Sequence, residues 1–323
     1  MMRQQETLDQ KIRLGISSCL LGEQVRYDGG HKLDHYLKDT LGRFVEWTPV
    51  CPEVECGLPV PREAMRLIGA PDAPRLVTSK TGIDYTTIMQ QWAASRIKEL
   101  IQKDLCGFIF KSRSPSSGMR RVKVYNASGI PVNSGVGIFA RAYMEIFPLV
   151  PVEDEVRLQD AALRENFIER IFIFKRWKEC VEKSDLIRDL VDFHSEHKFL
   201  ILSHSTKHYS LLGRIVANAK AHQTKSLRKE YLTVLMEGLR LMATVKKNTN
   251  VLQHMTGYFK KQLRPDEKKE LLEMIEAYHR ELVPLVMPIV LLRHYVHRYG
   301  QPYLSRQYYL YPHPVELMMR NHA

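Results

Sequence analysis

The chain has 323 residues and a formal net charge of +12, and 44% of its residues are hydrophobic. This length suits two globular domains, and the apolar content excludes an intrinsically disordered chain. No apolar stretch approaches the roughly 20 residues that a membrane-spanning helix needs, so we expect no membrane partner. Five cysteines without a run of close pairs, in a sequence with no signal peptide, predict a protein of the reducing cytoplasm.

The first half alternates strand-like and helix-like segments. Short apolar runs predict strands at residues 12–16, 44–50, 106–110 and 122–125, and apolar periodicity predicts helices at 32–41, 84–102 and 138–147. Six prolines from Pro49 to Pro74 predict an irregular excursion after the second strand. The alternation predicts an α/β fold, a parallel Rossmann-like sheet with covering helices.

The second half has no strand pattern and is predicted to be all-α. Pro148, Pro151 and the acidic run at 153–155 mark a boundary, and helices are predicted at 163–181, 194–219, 226–245, 266–282 and 285–299. We therefore predict an α/β domain at 11–160, a helical connector at 161–190 and an all-helical domain at 191–323.

The positive charge is concentrated in the helical half. Residues 184–323 hold 21 basic and 13 acidic residues, whereas residues 1–183 hold 27 and 23. A basic half is compatible with a polyanionic partner such as RNA, and the candidate contacts are Lys198, Lys207, Arg214, Lys246 and Lys247. The alternative is a solvated basic surface, because no dense basic run or aromatic platform is present.

Two cysteines and a serine-rich turn follow predicted strands of the first half. Ligands of an open α/β sheet bind beyond the carboxyl ends of its strands, so Cys19, Cys51 and the turn at 112–118 are expected to meet in one pocket. Two thiolates in a cytosolic protein suit a soft metal or an iron–sulfur cluster. The alternative is a pair of core thiols.

Three polar residues accompany the cysteines. Glu53 follows Cys51 by two positions and is either a general acid or base or a salt-bridged loop residue. Ser114 and Ser116 flank Pro115 in a stiff turn. Their hydroxyls either donate hydrogen bonds to an anion or a polarised atom, or they serve only the turn itself.

Five segments in the right order resemble the 2-thiouracil desulfidase family: Ser17–Gly22, Val25–Gly30, Val50–Glu53, Leu58–Arg62 and Ser114–Gly118. The resemblance implies an α/β protein that holds a 4Fe–4S cluster through three cysteines and removes sulfur from a thiolated pyrimidine, with the cluster as Lewis acid and sulfur acceptor. It implies that Cys19 and Cys51 are cluster ligands and that Glu53 and Ser114 are catalytic. We expect Ser17 and Ser116 to contact the substrate.

The third cysteine of the family pattern is Ser117 in this sequence. Three interpretations are open. In the first, Ser117 ligates iron as an alkoxide, which binds iron more weakly than a thiolate does. In the second, Cys56 replaces it as the third ligand. The third interpretation is that the cluster has been lost while the fold is retained.

The helical half contains the segments Phe193-His194, His197–Leu200, His208-Tyr209, Asn248–His254 and Tyr311–Pro314. Through these segments it resembles the YbgA-like domain, a resemblance that brings no chemistry. His204 and His208 are four residues apart and share a face of the helix predicted at 194–219, a spacing that suits a metal if His254 or His294 contributes. Polar core histidines, or a substrate-binding face, are the alternatives for these and for the nearby His194 and His197.

Taken together, these features predict an iron–sulfur desulfidase that acts on a small thio-base such as 2-thiouracil. The alternative from another class is a cluster-free protein that binds a nucleobase or nucleic acid. The retained Cys19, Cys51, Glu53 and Ser114 favour the enzyme, and the serine at 117 favours the binding protein.

Overall fold

The computed structural model describes residues 11–184, 186–219, 224–314 and 317, and it divides the chain into two compact units, Met1–Asp160 and Ala161–Ala323. The first unit contains eight strands: β1 Ile12–Ser17, β2 Val45–Val50, β3 Met65–Ile68, β4 Arg75–Thr78, β5 Phe108–Phe110, β6 Val122–Tyr125, β7 Pro131–Gly135 and β8 Val152–Asp154. Its helices are α1 Pro52–Glu55, α2 Thr86–Gln102 and α3 Ile138–Ile146.

The main sheet is parallel and has the strand order β2-β1-β5-β8. Its strands are apolar and β-branched because helices and loops cover them, and Leu14, Ile16 and Phe108 are fully buried. Gly15 lies under the Phe108 ring, where a Cβ atom would stand 2.1 Å from the ring, so only glycine fits. The register of β1 on β2 runs from Ile12–Val45 to Ser17–Val50, which places the ends of the two strands side by side.

A second, mixed sheet has the order β4-β3-β6-β7. Strands β3 and β4 lie inside the proline-rich excursion, so the expectation of an irregular segment there was wrong. The prolines instead flank two short antiparallel strands, and β3 pairs parallel with β6. The helix predicted at 32–41 is also wrong: the described backbone forms a single π turn at Tyr36–Thr40 and a 3₁₀ turn at Leu41–Arg43.

Helices α2 and α3 cover the main sheet. They bury an aromatic cluster in which Trp92 and Tyr143 surround Phe108, Phe110 and Phe139. Helices α2 and α3 leave the carboxyl ends of β1, β2 and β5 uncovered, and the segments after those strands, α1 among them, form the site described below.

The second unit is helical, and no strand occurs in its described residues. Its helices are α4 Ala161–Trp177, α5 Ile187–His204, α6 Thr206–Ala217, α7 Thr224–Leu239, α8 Val245–Thr256, α9 Pro265–His279, α10 Val286–Arg298 and α11 Pro302–Ser305. The predicted fold class, a parallel α/β sheet followed by an all-α region, is confirmed. None of the helices in the described ranges is both long and apolar enough to cross a membrane.

Two helix predictions in this unit need correction. The helix predicted at 194–219 is two helices, because Ser205 is extended (φ −160°) and its hydroxyl caps α6 by accepting the His208 N–H. The helix predicted at 226–245 ends at Leu239, and a separate helix, α8, begins at Val245 with Thr244 as its N-cap.

Candidate functional site

A cavity of about 250 Å³ lies at the carboxyl ends of β1, β2 and β5. It is lined by residues 17–19, 25–27, 50–53, 62 and 111–117, so the three segments singled out in the sequence do meet. Parallel strands bring their carboxyl ends to the same sheet edge, and this geometry concentrates distant residues at one place. We call this space the sheet-edge cavity.

Cys19 and Cys51 both line the sheet-edge cavity. Cys19 lies in a 3₁₀ turn directly after β1, and burial raises the pKa of its thiol to about 11, although Lys111 acts in the opposite direction. Cys51 is the N-cap of α1, and burial raises the pKa of its thiol as well. Both thiols therefore hold their protons at neutral pH unless a bound cation displaces them.

Glu53 lies on α1 and is held on both sides of its carboxylate. Arg62 donates to Oε2 through Nε at 2.9 Å and also through Nη2, and the Ser116 hydroxyl donates to Oε1 at 2.8 Å. The side chains of Arg62 and Glu53 are only 5% and 14% exposed. This pairing fixes the carboxylate at the cavity wall and keeps one of its oxygens beside the serine-rich turn.

The serine-rich turn is organised by Ser114. Its Oγ accepts hydrogen bonds from the N–H groups of Ser116 at 3.3 Å and Ser117 at 3.1 Å, and it lies 3.0 Å from Ser116 Oγ. Gly137 packs against the turn, where a Cβ atom would stand 2.6 Å from the Ser116 carbonyl. Ser117 is 3% exposed and lines the cavity, at the position of the family's third cysteine.

Ser17 lines the cavity, but its Oγ accepts the Lys111 N–H at 2.8 Å and so ties the end of β1 to the end of β5.

The sequence analysis did not identify Glu155 as a site residue. Glu155, just after β8, accepts from the Ser112 N–H at 2.7 Å, from the Ser112 hydroxyl at 2.8 Å and from the Lys111 ammonium. It thereby anchors the start of the serine-rich turn. The sequence signal was the acidic run at 153–155, which predicted only a domain boundary, because the strand β8 that overlaps it was not predicted.

Arg62 was also missed as a site residue, although it is the last residue of one of the five family segments.

Cys56, the alternative third ligand, is not among the residues that line the cavity. It ends α1, its Sγ lies 3.3 Å from the Glu53 carbonyl, and its side chain packs against the core of the second sheet. In the described part of the chain, no group of three or more His, Cys, Asp or Glu is arranged to hold a metal ion. Of the four candidate ligands named in the sequence analysis, Cys19, Cys51 and Ser117 line the cavity.

The described histidines of the helical unit are not grouped with other ligating side chains in a metal site. His204 and His208 belong to different helices, because the chain breaks at Ser205. His208 Nδ1 lies 2.8 Å from Ser205 Oγ, and His194 Nδ1 lies 3.0 Å from Tyr231 OH. His197 is stacked on Phe193, with ring centroids 4.0 Å apart. These contacts fit polar core histidines.

Two of the five candidate RNA contacts are engaged within the protein. Lys247 Nζ donates to the carbonyls of His204 at 2.7 Å and Met242 at 2.9 Å. Lys198 Nζ lies 4.8 Å from the centroid of the Tyr303 ring. These two lysines therefore contribute less to a basic surface than the sequence indicates.

Comparison with known proteins assigns each half to a family. The family described as 2-thiouracil desulfurase matches residues 14–155, and the family described as a protein of unknown function (DUF1722) matches residues 198–314. The uncharacterized protein YbgA of Escherichia coli (strain K12) is 34% identical over 133 residues, which are 40% of this chain and 78% of the relative.

Two further relatives match the chain. The uncharacterized protein YbbK of Bacillus subtilis (strain 168) is 28% identical over 108 residues, 32% of this chain and 71% of the relative. A solved structure titled [4Fe-4S]-dependent thiouracil desulfidase TudS is 30% identical, and the match covers 48% of this chain and 98% of that one, with a TM-score of 0.39. A TM-score of that size does not by itself establish a shared fold.

Proposed function

The chain belongs to the 2-thiouracil desulfurase family through residues 14–155 and to the DUF1722 family through residues 198–314, and on that premise we propose that its first unit is an iron–sulfur desulfidase. The proposed substrate is a small thiolated pyrimidine of the 2-thiouracil type. The proposed reaction replaces the thiocarbonyl sulfur by oxygen from water and releases the sulfur as hydrogen sulfide, without net oxidation or reduction. We place this reaction in the cytoplasm, where the five free cysteines of the chain stay reduced.

The residues of the sheet-edge cavity fit a 4Fe–4S cluster with an unusual third ligand. Cys19, Cys51 and Ser117 lie in the segments that follow three neighbouring strands, and all three line one space. Thiolates are the ordinary ligands of such clusters, and a serine alkoxide is a harder and weaker one. We assign Ser117 as the third ligand in preference to Cys56, because Ser117 lines the cavity whereas Cys56 packs against the second core.

When bound, the cluster would supply a Lewis acid and an acceptor for the departing sulfur. The other tasks belong to protein side chains. Glu53 takes a proton from the water that attacks the thiocarbonyl carbon, because its carboxylate lies at the cavity wall and accepts from the Ser116 hydroxyl. Arg62 holds that carboxylate in place through its bonds to Oε2.

The serine-rich turn and Lys111 complete the cavity. Ser114 and Ser116 position the pyrimidine and connect it to Glu53 through a short chain of hydroxyl groups. The Lys111 ammonium, held by Glu155, places positive charge where negative charge develops on the departing sulfur. Glu155 acts through Lys111 and Ser112, and it is therefore a positioning residue.

The observation that supports this proposal most directly is the meeting of two cysteines, the Glu53 carboxylate and a serine-rich turn in one cavity of the part that matches the desulfurase family. The test is sulfide release from 2-thiouracil under anaerobic conditions, with uracil measured by chromatography. Cys51→Ala is expected to abolish release, and the matched control Cys180→Ala, which removes an exposed thiol of the helical unit, is expected to keep it. Equal activity of the two variants would contradict the proposal.

Ser117 favours one alternative function, a cluster-free protein that binds a nucleobase in the same cavity. The two functions differ in their need for iron. A preparation that binds uracil and 2-thiouracil equally, contains no iron and releases no sulfide would support the alternative. Dependence of 2-thiouracil turnover on iron would support the desulfidase.

A further inference from the structure

A groove of about 550 Å³ lies on the second sheet of the first unit. Side chains of β3, β6 and β7 line it, together with residues of the segment between β5 and β6. Its cationic lining residues are Arg66, Arg113, Arg121 and Lys123, and none of the described lining residues is acidic. We call it the basic groove; the proposed desulfidase reaction assigns no role to these four cations.

The strand register places two of the cations side by side. Leu67 of β3 pairs with Val124 of β6, and both side chains are buried in the core of the second sheet. Arg66 and Lys123, one position earlier on each strand, therefore share the opposite face, and both are exposed. Like charges side by side on neighbouring strands are destabilising, so packing within the sheet does not account for them.

The positive charge of the basic groove is not neutralised within the described part of the protein. None of its four cations forms an ion pair with a described carboxylate, whereas Arg75 of the same unit is paired with Asp84. Arg66 instead contacts an aromatic ring, and its guanidinium lies 5.3 Å from the centroid of the Tyr125 ring. An anion in the groove would supply the missing negative charge.

Two of the cations lie on strained backbone beside the proposed active site. The φ angles of Arg113 and Arg121 are 57° and 49°, in the left-handed region that residues with long side chains seldom adopt. Such conformations are often retained at functional sites. Arg113 and Pro115 also line the sheet-edge cavity, so the basic groove adjoins the serine-rich turn.

We propose that the basic groove binds a small oligophosphate anion, such as pyrophosphate, as a ligand separate from the thio-base. A phosphate monoester carries a charge of only about −1.5 to −2, and four cations match the higher charge of an oligophosphate better. Guanidinium groups bind phosphate oxygens in a bidentate manner. A nucleic-acid strand is less favoured, because Arg66 already covers Tyr125, the aromatic residue on which a base would stack.

The test is calorimetric titration of the full chain with sodium pyrophosphate in a metal-free buffer. Saturable binding that weakens as salt is added is expected. Lys123→Gln is expected to weaken this binding about tenfold, because it removes a charge-assisted hydrogen bond to the anion. Arg66→Gln provides a second variant, and both substitutions lie at exposed positions that the core of the sheet does not need.

The matched control is Lys98→Gln on α2, which removes the same charge from an exposed position outside both cavities. It is expected to leave the affinity unchanged. Cys51→Ala is titrated as well, because pyrophosphate also complexes iron, and a variant without the proposed cluster is expected to bind equally well. Sulfide release from 2-thiouracil is measured on the same samples, so that a failure of the desulfidase proposal is seen separately.

Three results would overturn the proposal. The first is the absence of saturable binding up to millimolar pyrophosphate. The second is an equal effect of Lys123→Gln and Lys98→Gln, or the loss of binding in Cys51→Ala. The third is tighter binding of uridine 5′-monophosphate or of an oligouridine than of pyrophosphate, since the phosphate would then belong to a larger ligand.

Discussion

Replacing Glu53 by Gln probes the buried ion pair that fixes the proposed catalytic carboxylate. The substitution keeps the size of the side chain and removes its charge. Arg62, whose side chain is 5% exposed, is then left without its carboxylate partner. The new amide group must also turn its NH₂ toward either the guanidinium or the Ser116 hydroxyl, and at the guanidinium it opposes donor with donor.

The expected loss of stability follows from these contacts. Removing one partner of a buried ion pair costs about 3–5 kcal/mol, because the remaining charge stays buried. Arg62 keeps its hydrogen bonds to the carbonyls of Val25 at 3.0 Å and Pro59 at 3.3 Å, which partly satisfy the guanidinium. We therefore expect the lower end of this range, about 3 kcal/mol, for the first unit.

The assay is urea unfolding followed by tryptophan fluorescence. Trp47 and Trp92 lie in the first unit, so a Trp177→Phe background confines the signal to that unit. The matched control is Glu46→Gln, which removes a 65% exposed carboxylate paired with Arg13 and should change the stability by less than about 0.5 kcal/mol. A loss below about 1 kcal/mol for Glu53→Gln, or a loss equal to that of the control, would refute the reasoning about the buried pair.

Three further predictions concern the third ligand, a buried histidine and the serine-rich turn. Ser117→Cys should raise the iron content of purified protein, whereas Cys56→Ala should leave it unchanged; iron loss in Cys56→Ala would instead make Cys56 the ligand. Burial lowers the pKa of His194 to about 4, so protonation of this group in the unfolded state should by itself lower the stability of the helical unit by about 3 kcal/mol as the pH drops from 6.5 to 4. In urea unfolding at several pH values, His194→Gln should remove this part of the pH dependence and leave the part that comes from His197, whose pKa burial also lowers. Gly137→Ala should abolish sulfide release, since its Cβ would stand 2.6 Å from the Ser116 carbonyl; full activity would show that the turn is not needed in this geometry.

The parallel sheet and the residues at its edge could be predicted because the signals are local. Buried parallel strands are short apolar runs, and the rule for strand ends places Cys19, Cys51 and the serine-rich turn together without knowledge of the loops. Strands β3 and β4 escaped prediction because they are four residues long and lie among prolines, and the strands β7 and β8, the second of them in the main sheet, were not predicted either. Strands β3 and β4 pair with each other, and β3 also pairs with β6, whose Val124 lies opposite Leu67 at a separation of 57 residues.

The contacts that fix the site could not be predicted from local patterns. Arg62 meets Glu53 only because of the path of the chain after α1, and Glu155 meets Lys111 only because β8 lies next to β5. The break at Ser205 was missed because an extended serine between two helical patterns leaves the apolar periodicity almost unchanged.

The central claim is that Cys19, Cys51 and Ser117 hold an iron–sulfur cluster, and the most direct test is the iron and acid-labile sulfide content of protein purified without oxygen. The account predicts about four irons and four sulfides per chain, with a broad brown absorption band. It also predicts that Cys51→Ala loses them and that Cys180→Ala does not. Protein that stays colourless and iron-free after anaerobic incubation with iron and sulfide would contradict the account.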